Sequence, residues 1–412
     1  MTQATLLGQI LDHANRADPY PLYAELRKTP VYREEDSDTY VVSNYWEIKG
    51  LLHDPRISSD ARNLSPQAAG ALPDQEEEGA LPPTFLKLDP PEHDRLRRMT
   101  MRPFGPPNTP RRVHHMRGEL LRIVSDLIDG FGDRDRIDLV DNFSYPFPVT
   151  VICRLLGIPR EDEAHFHSWA DTIAASLDPD PSQDPGERRR VAQQARTELG
   201  MYLAGLIDER RKAPGDDMLS ALATEHGPDG QMSQMEVLST AALLLIAGHE
   251  TTVNLITNGM LTLLRNPDVL KRLREEPSLA VPLVEELLRF EPPVQLLPQR
   301  TTLADIEVAG TTIPKGASLW LVLASGNRDP QRFLDPDRFD PDRKDNQHLG
   351  LGSGIHNCFG APLARLEAQL ALTELARRLD NPRLVEDPPP YRQNAVLRGP
   401  RHLNIVFEGF RA

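Results

Sequence analysis

The chain has 412 residues, of which 39% are hydrophobic, so it is long enough to bury a large core as one big domain or two. Its formal net charge is −14, and nucleic-acid-binding proteins are more often basic, so we set that class aside. The longest apolar run, residues 241–248, is far shorter than the roughly 20 residues that span a bilayer. Residues 1–19 are polar and charged, so we expect neither a signal segment nor a membrane anchor.

Cysteine usage is low, which is typical of a protein from a reducing cytoplasm, and we expect a cytoplasmic location. There are two cysteines. Cys153 follows the apolar residues 149–152 and is predicted to be a core residue, whereas Cys358 lies in a polar, glycine-rich segment.

The N-terminal part alternates short elements. Helices are predicted at 21–27 and 45–53. Strands are predicted at 31–33 and 40–42, and they would form a small sheet within roughly residues 30–60. Residues 61–83 are rich in Ala, Gly, Pro and acidic residues. This composition fits either a solvated loop or a mobile lid over a pocket.

A helix is predicted to begin at Asp89 or Glu92, after the two prolines that stop the preceding segment. His93 and Arg97 are four residues apart and therefore share a helical face. Two donors on one face suit a pair of buried carboxylates, although an ordinary basic surface helix would look the same from this stretch alone.

A local basic patch follows on this acidic chain. Seven arginines and no acidic residue occur from residue 95 to residue 117: Arg95, Arg97, Arg98, Arg102, Arg111, Arg112 and Arg117. Such a patch can attract an acidic partner at long range, or it can be scattered solvated charge.

Residues 118–225 are mostly helical by their apolar periodicity, with a Pro- and Asp-rich loop at 179–186 that is expected to edge a pocket entrance. A long helix is predicted at 239–264, and its first half is apolar nearly all round, so it is expected to be buried. Its centre carries Gly248, Glu250 and Thr251, followed by a second threonine. A threonine hydroxyl bonded one turn back can bend and locally widen a helix, which leaves space for a small ligand.

A buried acid next to hydroxyl groups can relay protons. The alternative for this segment is a core helix that tolerates a glycine. His249 is predicted to be structural.

Further along, Glu286 and Arg289 are three apart on a predicted helix and form a natural ion pair. Residues 292–300 contain three prolines and cannot be helical. They are expected to feed a small β-rich part at roughly 292–325 that includes strands at 306–308 and 319–323.

The segment with the clearest functional pattern is residues 350–361, in which Gly352, Gly354 and Gly360 flank Cys358. Glycines at this density require a tight turn or a close approach. A helix is predicted at 363–379, so the sulfur lies near a helix N-terminus, where a thiolate is favoured. One cysteine cannot build a zinc site, but one thiolate is enough when a macrocycle supplies the other ligands. A buried, inert cysteine is the alternative.

The pattern Gly352-x-Gly354-x-His356-x-Cys358-x-Gly360 resembles the haem-binding loop of the cytochromes P-450, the thiolate-ligated haem monooxygenases. Three further motifs stand in that family's order: the proline-led helix with His93 and Arg97, the Ala-Gly-x-Glu-Thr-Thr segment, and the Glu-x-x-Arg pair. The resemblance spans residues 89–365. It implies a mainly α fold, with a large helical part and a smaller β-rich part in a single domain.

The resemblance also implies roles for individual residues. Cys358 would be the axial ligand of the iron of haem b, and Thr251 and Glu250 would handle dioxygen and its protons. The pair Glu286–Arg289 would be structural, completed by Arg338. The residues expected to contact the haem are His93, Arg97, Ala247, Gly248, Arg300, Gly352, His356, Cys358, Gly360 and Ala364, of which His93, Arg97, Arg300 and His356 would meet the propionates.

The expected substrate pocket is apolar, which indicates a lipophilic small molecule such as a terpenoid, steroid or polyketide. The residues expected to line it are Leu244, Ala247, Val294, Leu296, Leu297, Ala395 and Val396. One departure from the family pattern is Leu351, where phenylalanine is usual, and this is expected to alter packing near the sulfur.

The resemblance implies insertion of one atom of dioxygen into the substrate, by hydroxylation or epoxidation. Electrons would come from a separate ferredoxin or flavodoxin with its reductase, so that NAD(P)H acts only indirectly. Two alternatives remain at this stage: a haem-thiolate protein that senses without turnover, and a peroxide-driven oxidase. The acid–threonine pair argues against both.

Overall fold

The computed structural model describes residues 5–34, 39–66, 68, 82–104, 112–177 and 184–411. Helices dominate it. In chain order they are α1 Leu6–Leu11, α2 Tyr20–Leu26, α3 Tyr45–Leu52, α4 Glu92–Phe104, α5 Arg112–Asp129, α6 Pro146–Leu156, α7 Glu163–Leu177, α8 Pro185–Lys212, α9 Met218–Thr224, α10 Gln234–Arg265, α11 Pro267–Glu275, α12 Ala280–Phe290, α13 Leu323–Gly326 and α14 Ala361–Arg378.

The strands are short. They are β1 Val31–Arg33, β2 Thr39–Val42, β3 Ile57–Ser58, β4 Arg136–Asp138, β5 Leu297–Thr302, β6 Ile306–Val308, β7 Thr311–Ile313, β8 Ser318–Leu321, β9 Leu379–Asp380, β10 Arg383–Leu384, β11 Asn404–Val406 and β12 Gly409–Phe410. The largest sheet has the order β1-β2-β8-β5-β3, in which β2 and β8 are parallel and the other pairs antiparallel. The strands predicted near the N-terminus and the one predicted to begin at residue 319 therefore belong to one sheet, whereas the strand predicted at 306–308 pairs with β7 in a separate two-stranded sheet.

Helix α10 is the central element. It packs against α6, α8, α14 and α12, and most of its side chains are buried, including Leu244, Val253 and Met260. Ser233 and Glu236 form a capping box that starts it, which satisfies two of the backbone N–H groups left free at a helix N-terminus. Among the described residues, no helix combines the length and apolarity needed to cross a membrane.

Two local predictions differ from the structure. The strand predicted to reach residue 323 ends at Leu321, and Leu323 begins the one-turn helix α13, because a short buried apolar run fits either state equally well. The widening predicted at the centre of α10 does not appear as a change of helix type, since every residue from Gln234 to Arg265 is α-helical.

Candidate functional site

The loop that carries Cys358 is shaped by two glycines in the left-handed backbone region. Gly352 and Gly354 both have φ of 69°, a conformation that side-chain-bearing residues rarely adopt. A Cβ at Gly354 would lie 1.9 Å from the carbonyl oxygen of Leu52, so the loop also lies directly against the end of α3. The N–H of Cys358 donates to the carbonyl of Leu351 at 2.8 Å and closes the turn.

Two opposing influences act on the sulfur of Cys358. Burial raises the pKa of its thiol, whereas the backbone N–H groups of Gly360 and Ala361 and the cations Arg97 and Arg365 act to lower that pKa. Gly360 is the N-cap of α14, as the predicted helix N-terminus required. A Cβ there would lie 3.9 Å from the sulfur, in ordinary van der Waals contact with it, so Gly360 lies directly beside the sulfur. The sulfur is thus directed toward donors and positive charge.

Cys358 opens on an apolar cavity whose far wall is the centre of α10. The loop side contributes Cys358, Phe359, Gly360, Leu363, Ala364 and Glu367; the α10 side contributes Leu244, Ala247, Gly248, Thr251 and Thr252; and Phe104, Ile152 and Leu155 close the cavity laterally. Residues far apart in the chain that the sequence predicted for one haem site therefore line one space.

On the α10 wall, the hydroxyl of Thr251 donates back to the carbonyl of Ala247 at 2.7 Å. Because that hydroxyl hydrogen is engaged, the oxygen is left as a hydrogen-bond acceptor. Gly248 packs closely against α6, since a Cβ at this position would lie 2.9 Å from Cδ1 of Ile152. The helix can therefore approach α6 while it presents Thr251 to the cavity.

Four cationic or imidazole side chains meet beside the cysteine loop. The rings of His93 and His356 lie 4.4 Å apart, and Arg97 donates to the carbonyl oxygen of Asn357 at 2.9 Å and to its Oδ1 at 2.7 Å. Burial, and then Arg300, His93 and Arg97, lower the pKa of His356 to about 3. Burial lowers the pKa of Arg300 as well.

This cluster has unused donors. Nε2 of His93, Nη1 of Arg97 and Nδ1 of His356 are buried and have no hydrogen-bond partner among the described residues. Buried polar groups are nearly always paired, so a cluster of cations and unpaired nitrogens indicates an anionic group between them. The two propionates of a haem have this charge, and the cavity and the sulfur lie beside it, so the residues fit the cofactor.

Glu250 does not stand alone in the protein interior. Its Oε1 lies 3.2 Å from Nε of Arg392, and both side chains are only 5% exposed. Arg392 belongs to the C-terminal segment that follows α14, and nothing local in the sequence indicated its position.

The pair Glu286–Arg289 is fully buried, with 2.7 Å between Oε1 and Nη2. The prediction that Arg338 completes it is wrong. The Arg338 side chain is 68% exposed and pairs with Asp340, while Nε of Arg343 lies 3.3 Å from Oε2 of Glu286. Arg338 contributes only its backbone carbonyl, which accepts from Arg289, because its side chain points outward.

The residues predicted for the substrate pocket fall into two groups. Leu244 and Ala247 line the cavity. The remaining ones come from two segments that lie against each other, since the N–H of Gln295 donates to the carbonyl of Val396 at 2.8 Å and Val294 bridges to Leu397. Val294, Leu297, Ala395 and Val396 are partly buried, whereas Leu296 is fully buried against Tyr23 and Leu26 and is not placed on the cavity.

Much of the predicted basic patch is already paired. Arg95 pairs with Glu236, and Arg98 pairs with Asp229 at 2.8 Å. Arg111 lies outside the described residues. So do most of the predicted lid, at 67 and 69–81, and residues 179–183 of the predicted pocket rim.

Sequence reasoning missed Glu367, which lines the cavity and is 2% exposed. Burial raises the pKa of its carboxyl well above the usual range. A signal was present, because residue 367 stands four after Leu363 and three before Leu370 on the apolar face of α14. An acidic residue on such a face is unusual enough to mark a functional position.

A cysteine in a glycine-rich loop, a cation cluster with unused donors and a threonine on the opposite wall together fit a haem-binding cavity. The family model described as cytochrome P450 matches residues 5–407, and the chain belongs to the cytochrome P450 family. Haem is the cofactor of this family, and with a thiolate ligand it favours cleavage of the O–O bond. As predicted, the fold is mainly α with a small β-rich part.

Several bacterial proteins are similar to this chain in sequence or structure over nearly its whole length. Cytochrome P450 monooxygenase PikC of Streptomyces venezuelae is 42% identical over 400 residues, which cover 94% of this chain and 91% of PikC. The 6-deoxyerythronolide B hydroxylase of Saccharopolyspora erythraea is 36% identical, with 95% and 96% covered. The structure of the Bacillus subtilis bacillaene polyketide synthase cytochrome P450 PksS has a TM-score of 0.86 at 30% identity, with 97% and 99% covered. The predicted class of enzyme, cytochrome P450 monooxygenase, is confirmed.

Proposed function

We propose that this enzyme hydroxylates a lipophilic small molecule of the polyketide type, with electrons from a separate ferredoxin or flavodoxin and its reductase. The observation that carries the proposal is that Cys358 and Thr251 line one cavity whose other walls are apolar, including Leu155, Leu244 and Leu363. Such a cavity excludes water and offers few polar anchors to its ligand. The polyketide class is supported by the likeness to PksS, and hydroxylation by the relative named as a hydroxylase.

In this proposal the sulfur of Cys358 would bind the haem iron. His93, Arg97, Arg300 and His356 hold the propionates, which would satisfy the unused donors of the cluster. Ala247, Gly248, Gly352, Gly360 and Ala364 would form the surface around the ring. The haem supplies the oxygen chemistry.

Thr251 and Glu250 are assigned to proton handling. The hydroxyl of Thr251 has donated its hydrogen to Ala247, so its oxygen accepts a hydrogen bond from a group in the cavity. Glu250, next to it in the helix, is a buried carboxyl group that can take up and release a proton. This acid–hydroxyl pair favours a dioxygen-using enzyme over a sensor or a peroxide-driven oxidase.

The substrate class is tested with the ferric protein. Polyketide lactones, steroids and terpenoids are screened for a shift of the haem absorption band on binding. Saturable shifts with polyketides, and weaker ones with the other two classes, are expected. Tighter binding of a steroid or a terpenoid would move the assignment to that class.

The oxygen-activating role is tested with Thr251→Ala. Thr257→Ala is a matched control, because Thr257 is buried on the same helix and makes the same bond one turn back, to Val253 at 2.8 Å. We expect Thr251→Ala to consume reductant but release mostly hydrogen peroxide, while Thr257→Ala forms product normally. Unchanged product formation by Thr251→Ala would remove the role.

The electron donor is assigned from charge. Charge reversal at Arg98 also breaks its ion pair with Asp229, so Arg112→Glu is tested beside it. Reduction by an acidic ferredoxin should slow, and the slowing should shrink as salt is raised. Unchanged reduction kinetics at low salt would exclude this docking surface.

A further inference from the structure

A second polar region lies within the protein, on the side of α10 that carries Glu250. Residues 250 and 254 are four apart and therefore share a helical face. Thr251, the residue after Glu250, lines the cavity. The C-terminal segment 391–400 covers this face. It folds back on itself, with Tyr391 bridged to Pro400 and the N–H of Arg392 donating to the carbonyl of Gly399 at 3.2 Å.

Asn254 is completely buried under that segment. A Cβ at Gly399 would lie 2.2 Å from Oδ1 of Asn254, so the backbone of the segment passes directly over the amide. Yet neither Oδ1 nor Nδ2 of Asn254 has a hydrogen-bond partner among the described residues. Leucine could therefore replace this amide without loss of a side-chain hydrogen bond to any described residue.

Arg392 shows the same excess of polar atoms. It is 5% exposed, and its ion pair with Glu250, at 3.2 Å from Nε, is too poorly aligned to count as a hydrogen bond. Nε and Nη2 of Arg392 have no hydrogen-bond partner in the part of the chain that the structure describes. Three donors and one acceptor, from Arg392 and Asn254, therefore lie beside one buried carboxylate.

Buried polar atoms without protein partners are generally bridged by ordered water, which needs two to four polar partners at one place. We propose that Arg392 and Asn254 hold a small cluster of buried water against Glu250, and that this cluster resupplies the protons that Glu250 passes toward Thr251. This inference rests on the proposed acid role of Glu250. Arg392 and Asn254 are positioning residues in it, since neither lines the cavity.

The proton balance is simple. A proton that leaves the carboxyl group of Glu250 is replaced by one from a cluster water, and that water regains its proton from solvent. Solvent is close, because residues 393–397, which directly follow Arg392, are only partly buried. Arg392 keeps the carboxylate on this side of the helix between transfers.

The experiment compares Asn254→Leu and Arg392→Gln with Glu250→Gln in the haem-loaded protein, with Thr257→Val as the control on the same helix. Asn254→Leu removes both amide groups at similar volume, whereas Arg392→Gln leaves Glu250 without its cation. Coupling is measured as product formed per reductant consumed, together with hydrogen peroxide release and the solvent deuterium isotope effect. The independent readout is a crystal structure of each ferric protein, in which density for water on Arg392 and Asn254 is examined.

We expect water within 3.2 Å of Arg392 Nη2 and Asn254 in the parent protein and in Thr257→Val, and its loss in Asn254→Leu. Peroxide release should rise at least threefold in Asn254→Leu and Arg392→Gln, with a larger isotope effect, while thermal stability of Asn254→Leu stays close to that of the parent. If Arg392→Gln does not fold, Asn254→Leu decides the matter.

The failures are distinguishable. Impaired coupling in Glu250→Gln with normal coupling in Asn254→Leu and Arg392→Gln overturns the water cluster and leaves the proposed function intact. Normal coupling in Glu250→Gln overturns the acid role itself. If the crystal structure of the parent protein shows no electron density for water beside Arg392 and Asn254, the inference is overturned, even if coupling is impaired in the variants.

Discussion

Nη1 of Arg289 donates to the backbone carbonyl of Asn327 at 2.9 Å, and this bond connects the buried ion pair to the cysteine loop. The side chain of Asn327 accepts from the N–H of Leu349 at 2.7 Å and donates to the carbonyl of Leu288 at 3.2 Å. Leu349 is two residues before Leu351, whose carbonyl accepts from the N–H of Cys358. A path of hydrogen bonds, continued along the chain from Leu349 to Leu351, therefore runs from α12 to Cys358, the residue proposed to bind the haem iron.

We expect Arg289→Lys to lose haem. Lysine cannot reproduce the forked contacts of the guanidinium, and breaking a buried ion pair costs about 3–5 kcal/mol. The haem-to-protein ratio after purification and the urea midpoint should both fall. Arg272→Lys is the control, because Arg272 pairs with Asp342 at the surface, where such a pair contributes less than about 1 kcal/mol. Full haem content in Arg289→Lys would show that the path is not needed.

A second prediction concerns two adjacent arginines of α4. Arg97 has a buried, unpaired Nη1 beside His93 and His356, whereas Arg98 is 59% exposed and pairs with Asp229. Hydrogen bonds to charged groups contribute about 1.5–3 kcal/mol each, so Arg97→Gln should release haem to an acceptor protein roughly tenfold to a hundredfold faster. Arg98→Gln should release it at the parental rate. Equal rates in the two variants would contradict the assignment of Arg97 to a propionate.

Helices, strands and turns that are marked by neighbouring residues could be predicted from the sequence. The start of α10, which was predicted at the wrong residue, is marked in the sequence as well. The buried helix was expected from residue 239 but begins at Gln234, because Ser233 and Glu236 form a capping box that the sequence displays as Ser-x-x-Glu. The glycine pattern around Cys358 predicted both the turn and the helix after it, since positive φ and a helix N-cap depend on neighbouring residues.

Contacts between distant segments could not be predicted in the same way. Arg338 and Arg343 stand in one irregular segment, and only the folded backbone decides that Arg343 faces Glu286. Arg392 meets Glu250 because the C-terminal segment crosses α10, and no periodicity records that crossing. The resemblance to the family predicted roles for Cys358 and Thr251, but the pairing of Glu250 with Arg392 is seen only in the structure.

Gly354→Ala should disrupt the haem loop. The residue has φ of 69°, and its Cβ would lie 1.9 Å from the backbone oxygen of Leu52, so strain and a clash add together. A loss of at least about 2 kcal/mol in the free energy of unfolding is expected, with reduced haem content. Gly118→Ala is the control, since Gly118 lies on the exposed face of α5 with open space around its Cβ position. It should stabilise the protein by about 1 kcal/mol. A Gly354→Ala variant as stable as the parent would show that the loop can shift away from α3.

His249 predicts a particular dependence of stability on pH. Its side chain is 2% exposed and packs edge-on against Tyr145 with 4.4 Å between ring centres. Burial, with smaller contributions from Arg392 and His167, lowers the pKa of His249 to about 3 in the folded protein. The unfolded chain has the ordinary histidine pKa of about 6.5. Below that pH, the unfolded state therefore binds a proton that the folded state does not accept.

Stability should thus be unaffected by His249 above pH 7 and should fall as the pH drops from about 6 toward about 3, by about 1.4 kcal/mol per pH unit from this residue alone. His249→Gln removes the contribution, so its free energy of unfolding, measured by urea denaturation at pH 7.5, 5.5 and 4.5, should decline less steeply than that of the parent. His226→Gln should keep the parental slope, because His226 is exposed. If His249→Gln and the parent decline in parallel, His249 takes up its proton within the fold, and the region around Arg392 must be open enough to solvate the charge.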